Sequence, residues 1–197
     1  MAQRVARRKF TVEEYHRLAE AEILGEDDRV ELIEGEIVEM SPVGSRHATC
    51  VRRLNRLFSR RVGEAALVDV QNPIRLGPHS EPQPDLALLR PRADDYAAAH
   101  PGPEDVLLLV EVAETSADYD RQVKLPLYAR WGIQEVWLVD LDQGCLEVHR
   151  DPSPEGYRDV QVVRRGEGIA PAAFPDLEVR AEDVLGPAAG GSAPRES

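Results

Sequence analysis

The chain has 197 residues, of which 42% are hydrophobic and 30% charged; this fits one globular domain able to bury its own core and excludes a disordered chain. The formal net charge of -12 argues against indiscriminate nucleic-acid binding. No run of about eighteen apolar residues occurs, so no membrane span is expected, and the basic start MAQRVARRKF lacks the apolar segment of a secretory signal. Cys50 and Cys145 lie far apart without CxxC spacing, so no thiolate metal site is expected and the cytoplasm is the default compartment.

Residues 1–10 read as a basic N-terminal arm. In TVEEYHRLAEAE, Thr11 followed by Glu14 is a capping-box signature and predicts a short helix. RVELIEGEIVEM, with Gly35 near its centre, predicts two short strands or a hairpin. From Ser45 to Val62 the pattern predicts a helix whose apolar stripe is Val51, Leu54, Leu57 and Phe58, with Arg53, Arg56 and Arg60 on another face.

ALVDVQ, DLALLR and DVLLLVEVA are strand candidates, the last apolar enough to be a central strand covered on both sides. KLPLYARWG predicts a helix that ends at Gly132 and either begins near Lys124 or bends there, because Pro126 cannot sit deep in a regular helix. EVWLVDL and CLEVHR follow as strands joined by the turn DQG, and YRDVQVVRRG as a further strand. Residues 186–197, GPAAGGSAPRES, are expected to be disordered. Helices and strands in this order predict a single α/β domain over residues 11–185, built on a mixed sheet.

Between Met40 and Gly63 there are six arginines (Arg46, Arg52, Arg53, Arg56, Arg60 and Arg61) and no acidic residue, a local basic patch in an acidic chain. Lysine is rare: only Lys9 and Lys124 stand against 22 arginines, and Lys9 lies in the arm. Lysine is a compact ammonium whose protonation responds to burial, unlike arginine, so Lys124 is a candidate for chemistry; a chance surface lysine is the alternative.

Asp85 opens the strand in QPDLALL, and Glu111 interrupts VLLLVEVA. Period-two alternation puts Leu107, Leu109, Glu111 and Ala113 on one side and Leu108, Val110 and Val112 on the other. A carboxylate inside a sheet needs a cation. Mg²⁺ would serve, and a salt bridge to an arginine is the alternative.

A strand-borne Asp, a strand-borne Glu and a lone lysine resemble the active site of the PD-(D/E)XK nuclease superfamily. RVELIEGEIVEMSP, GSRHA, QPDLALL, LLLVEVAETSADYDRQVKLPLYARWGIQEVWLVDL and FPDLEV, in that order, resemble the Uma-two family of restriction-endonuclease-like proteins over about Thr11 to Leu185. The resemblance implies a restriction-endonuclease-like mixed β-sheet flanked by helices. It further implies metal-dependent hydrolysis of DNA phosphodiester bonds, with Mg²⁺ (or Mn²⁺) held by Asp85 and Glu111 and with Lys124 as the catalytic lysine. The usual superfamily lysine lies two residues after the acidic one, where this chain has Ala113. Lys124 would therefore reach back from the next helix. Glu31 matches a further acidic member, with Glu34 and Glu36 as rivals and a solvated hairpin charge as the alternative.

Gln83 is a candidate to bind a water or phosphate, or to shape its turn. Arg46 and His47, near the start of the arginine-rich helix, are candidates for phosphate contact, as are Arg53 and Arg56; for His47 a satisfied surface histidine is the preferred reading. Asp118 and Asp120 read as helix caps, Tyr128 as a partner of the Lys124 stem, and Trp131 and Trp137 as core. DNA and a second copy of the chain are the expected partners. Two other readings compete: a catalytically weak or inert nuclease-fold binding or regulatory module, and a phosphoesterase for a small nucleotide. No HxH or HD cluster, Gly-rich phosphate loop or GxSxG elbow supports the last.

Overall fold

The computed structural model describes residues 7–25 and 27–187; residues 1–6 of the expected arm and 188–197 of the expected tail lie outside the described residues. The Thr11 hydroxyl accepts from the Glu14 N–H (3.2 Å), and the Glu14 carboxylate accepts from the Thr11 N–H (3.1 Å). That closed box starts α1, Val12–Glu20. The hairpin follows as β1, Val30–Ile33, and β2, Glu36–Glu39. Its two turn residues, Glu34 and Gly35, have φ of 49° and 82°, the double left-handed geometry that matches strand twist in a two-residue turn. α2 is Ser45–Arg61, and its buried stripe is Cys50, Val51, Leu54 and Phe58, with Leu57 partly buried.

The main sheet has six strands in sequence order: β3 (Leu67–Asp69), β4 (Leu86–Leu89), β5 (Val106–Ala113), β6 (Glu135–Asp140), β7 (Cys145–Ser153) and β8 (Gly156–Val163). All neighbours are antiparallel except β5 and β6. A parallel pair needs a crossover, and the chain makes it with a helical segment over 117–130. This is what brings Lys124 back across the strand that carries Glu111.

The sheet separates two apolar layers. Leu108, Val110 and Val112 face α2 and α5, the short helix Ala181–Leu185, which packs Val184 into that layer. Leu109 and Ala113 face the crossover helix, together with Leu125, Leu127 and Tyr128. Leu107 departs from the expected alternation and packs with Leu108. The register slips between Leu88, opposite Leu108, and Leu89, opposite Val106, so Leu107 is the extra residue of a bulge.

The crossover comprises α3 (Ala117–Tyr119), one wide π turn (Asp120–Lys124) and α4 (Leu125–Arg130). It therefore begins seven residues before Lys124 and widens there. The Leu125 N–H reaches the Asp120 carbonyl, five residues back. The cause is Pro126, which has no N–H and whose ring would strike the carbonyl of Gln122 in a regular helix.

Trp131 corrects the core reading: it is 40% exposed, whereas Trp137 is fully buried. Trp131 caps α4, where the chain turns away through Gly132, and its ring lies over Gly77. A Cβ on Gly77 would fall 2.1 Å from Trp131 Cη2, at a φ of 73°. Gly77→Ala is accordingly expected to destabilise the fold by about 1–3 kcal/mol, read by urea unfolding. The strand pair β9 (Gly168–Ile169) and β10 (Val179–Arg180) precedes helix α5. Among the described residues no helix is long and apolar enough to cross a membrane.

Candidate active site

β4 and β5 are antiparallel neighbours, with Leu86 opposite Val110; extending that register by one residue sets Asp85 across from Glu111. Both line a cavity of about 530 Å³ at this end of the sheet, together with Glu31, His47, Gln83, Tyr119, Asp120 and Lys124. The hairpin contributes Glu31, the start of α2 contributes His47, and the crossover contributes Asp120 and Lys124. Glu31, Asp85, Glu111, Asp120 and Lys124 are each at most 8% exposed.

Lys124 does reach the site. Its Nζ lies 3.2 Å from Glu111 Oε1 and 3.1 Å from Glu31 Oε2. Ala113, at the usual lysine position, is fully buried among apolar side chains, so a lysine there would lose its hydration for no partner. Glu31 is not a solvated hairpin charge: it also accepts from the Gln83 backbone N–H (3.1 Å). Its rivals point elsewhere, Glu34 to Arg130 (2.8 Å) and Glu36 to Arg7 (3.9 Å), both in solvent.

Asp85 is held from three sides. Oδ2 accepts from the Val112 N–H (2.9 Å) and lies 3.0 Å from His47 Nε2; Oδ1 accepts from Gln71 Nε2 (3.1 Å). His47 is thus no surface histidine, because α2 starts against the cavity and turns the ring inward. The hydrogen bond to Asp85 raises its pKa above the usual imidazole range, against the opposing effect of burial. Gln83 lines the cavity and also braces its own turn, its side chain reaching the Val30 carbonyl at 3.4 Å.

The Tyr128 hydroxyl donates to Glu111 Oε1 (2.5 Å), the same oxygen that Lys124 reaches. Asp120 corrects the capping reading. It is buried and accepts from Ser116 Oγ (2.9 Å), while Asp118 stays exposed beside Arg121. The signal that could have found Asp120 is its spacing: Asp120, Lys124 and Tyr128 recur every four residues, one helix face.

The arginines are divided. Arg46 is not in the cavity lining; it donates to the Leu141 carbonyl (2.7 Å) and pairs with Asp142 (3.0 Å) and with Glu114 (3.4 Å), which does line the cavity. Arg53 and Arg56 lie farther along α2 and do not line the cavity.

The electrostatics follow from the count. Four buried carboxylates face one ammonium. Burial raises the Glu111 pKa from its ordinary 4.5 to about 8, although Lys124 pulls it down. Burial likewise raises Asp120. For Lys124, burial acts downward but Glu111 and Glu31 outweigh it, so its pKa rises and it stays an ammonium. Lys124 is a retained ammonium among carboxylates that share protons, because its positive charge has several acidic neighbours.

Carboxylate oxygens are the hard ligands that Mg²⁺ and Mn²⁺ take. Two of the lining residues also carry a buried polar atom without a hydrogen-bond partner among the described residues, His47 Nδ1 and the Tyr119 hydroxyl. Such orphaned atoms and uncompensated acid fit a site that receives a cation and its ligands.

A crystal structure of a putative nuclease belonging to DUF820 from Anabaena variabilis ATCC 29413 is similar in fold, with a TM-score of 0.71 and 17% sequence identity over 89% of this chain and 97% of that one. None of the curated proteins matches. The family model Uma2, described as putative restriction endonuclease, matches residues 12–182. With nearly its whole folded length matched, the chain belongs to the Uma2 family.

Proposed function

We propose that the chain is an endonuclease that hydrolyses DNA phosphodiester bonds with Mg²⁺ (or Mn²⁺) in the carboxylate cavity. The observation that carries this reading is the charge imbalance among the buried groups of one cavity: Glu31, Asp85, Glu111 and Asp120 against Lys124, with Arg29 in the lining but exposed to solvent. Asp85 and Glu111 would hold the ion. Bound there, it would lower the pKa of a water and neutralise charge on the scissile phosphate.

The chain's own residues would do the rest. Lys124, kept as an ammonium by Glu31 and Glu111, would stabilise negative charge that develops on the phosphate; as an ammonium it is no general base. His47, held by Asp85 at the start of α2, would add a second positive contact. Gly44 gives α2 no side-chain cap, so the first N–H groups of a 17-residue helix remain available to a phosphate at the cavity wall. Exposed Arg52, Arg56 and Arg60 along α2 would position the DNA backbone without reading sequence. The protein would act in the cytoplasm as a homodimer.

The runner-up, an inert nuclease-fold binding module, has one observation in its favour. Glu111 already satisfies itself with Lys124 and Tyr128. Incubation of supercoiled plasmid with Mg²⁺ or Mn²⁺ separates the two. Nicking by the wild-type chain that disappears in Asp85→Asn is expected. Absence of nicking would favour the inert module, and nicking retained in Asp85→Asn would remove the site assignment.

A further inference from the structure

Away from the carboxylate cavity, three other side chains converge. His16 on α1, Glu81 and His100 each offer one ligand atom, and those atoms all lie within 4.8 Å of one another. His16 Nε2 is 2.6 Å from Glu81 Oε1. An ordinary histidine–carboxylate pair would account for that contact alone. It leaves two facts without a cause: Glu81 is 2% exposed with its second oxygen, Oε2, buried and without a partner among the described residues, and His100 approaches the same point from a separate loop. The His16 and His100 rings are 6.3 Å apart and edge-on, so they are not stacked on each other.

The backbones beneath these side chains are tied down. The Val12 N–H donates to the Pro78 carbonyl (2.9 Å) at the start of α1, and the Arg75 N–H donates to the Pro101 carbonyl (2.9 Å) beside His100. The Glu81 N–H donates to the Leu32 carbonyl (2.7 Å). Three anchored segments thus present two imidazoles and one buried carboxylate to a common point.

We propose that His16, Glu81 and His100 form a second cation site, of the zinc class, distinct from the carboxylate cavity. Two nitrogens and one oxygen suit Zn²⁺ better than Mg²⁺, and three protein ligands leave one position for water. Donors around a tetrahedral zinc stand about 3.3 Å apart, so the His16–Glu81 pair at 2.6 Å would open slightly as a cation replaces the shared proton, and the exposed His100 side chain would rotate inward. The site's consequence is mechanical. Glu81 lies on the segment that carries Gln83 and Asp85, and Gln83 in turn braces Glu31. A cation here would lock α1 and the His100 loop onto the strand lead-in that positions two cavity carboxylates.

The test is a calorimetric titration of the full chain with Zn²⁺ under saturating Mg²⁺, which occupies hard-oxygen sites. One equivalent of Zn²⁺ should bind the wild type and raise its melting temperature. His100→Ala, a change at an exposed side chain, should weaken binding at least about tenfold. Glu81→Gln should do the same, and Asp85→Asn should leave it unaltered. Absence of Zn²⁺ binding, equal affinity in His100→Ala, or loss of binding in Asp85→Asn would each overturn the site.

Discussion

Replacing Lys124 by methionine is expected to cost the metal-free protein about 3–5 kcal/mol at pH 8, because it removes one partner of a buried pair and strands the other. Methionine keeps much of the stem, so the loss isolates the charge from the packing. The cost should fall with pH. Glu111 and Asp120 already have raised pKa values from burial, and protonation removes the charge that Lys124 compensates. Urea unfolding at pH 8 and pH 5 reads both. A loss below about 1 kcal/mol at each pH would mean that Lys124 does not balance buried charge. Mg²⁺ or Mn²⁺ should restore part of the stability, since it supplies positive charge to the same cavity, but should not restore cleavage.

Glu111→Gln has the opposite sign for stability and the same sign for cleavage. The amide oxygen can still accept from Lys124 and Tyr128, whose contacts to Glu111 Oε1 are 3.2 and 2.5 Å. Cleavage should fall at least about 100-fold, as a loss of about 2.7 kcal/mol of metal-dependent stabilisation requires. For stability, the folded chain holds a proton on Glu111 that the unfolded chain has released. The contribution is therefore full below about 4.5 and is lost as pH rises through about 8. The wild-type urea midpoint should decline across that window. Glu111→Gln should flatten the decline and be the more stable protein at pH 8. A wild-type midpoint that rises with pH across the window would reverse the assignment of Glu111 as the proton holder.

The strands were legible because their apolar runs are nearly continuous: β5 and β6 lie at the centre of the sheet, where both faces need covering. Glu111 stood out against that background, and Lys124 by its rarity among arginines. Helix α5 left no trace in the sequence, since five residues with only Ala181 and Val184 buried make no detectable period. The π turn was only half legible. Pro126 announced a disturbance, but the direction of Lys124 depends on a helix that starts upstream at Ala117 and closes a parallel crossover. That long-range fact also decides Asp120, which local sequence presents as a cap. His47 was misread for a similar reason: its burial comes from where α2 meets the sheet end, not from its neighbours in the chain. The arginines show the limit of composition, for Arg46 is spent on Asp142 and Glu114 while Arg56 lies outside the cavity.

The most direct measurement is a calorimetric Mn²⁺ titration of the wild-type chain beside Asp85→Asn and Glu111→Gln. Binding by the wild type, with protons released as Glu111 ionises, and loss of that binding in both variants is the expected result. Failure of the wild type to bind Mn²⁺, or binding that survives both substitutions, would contradict a cation held between Asp85 and Glu111.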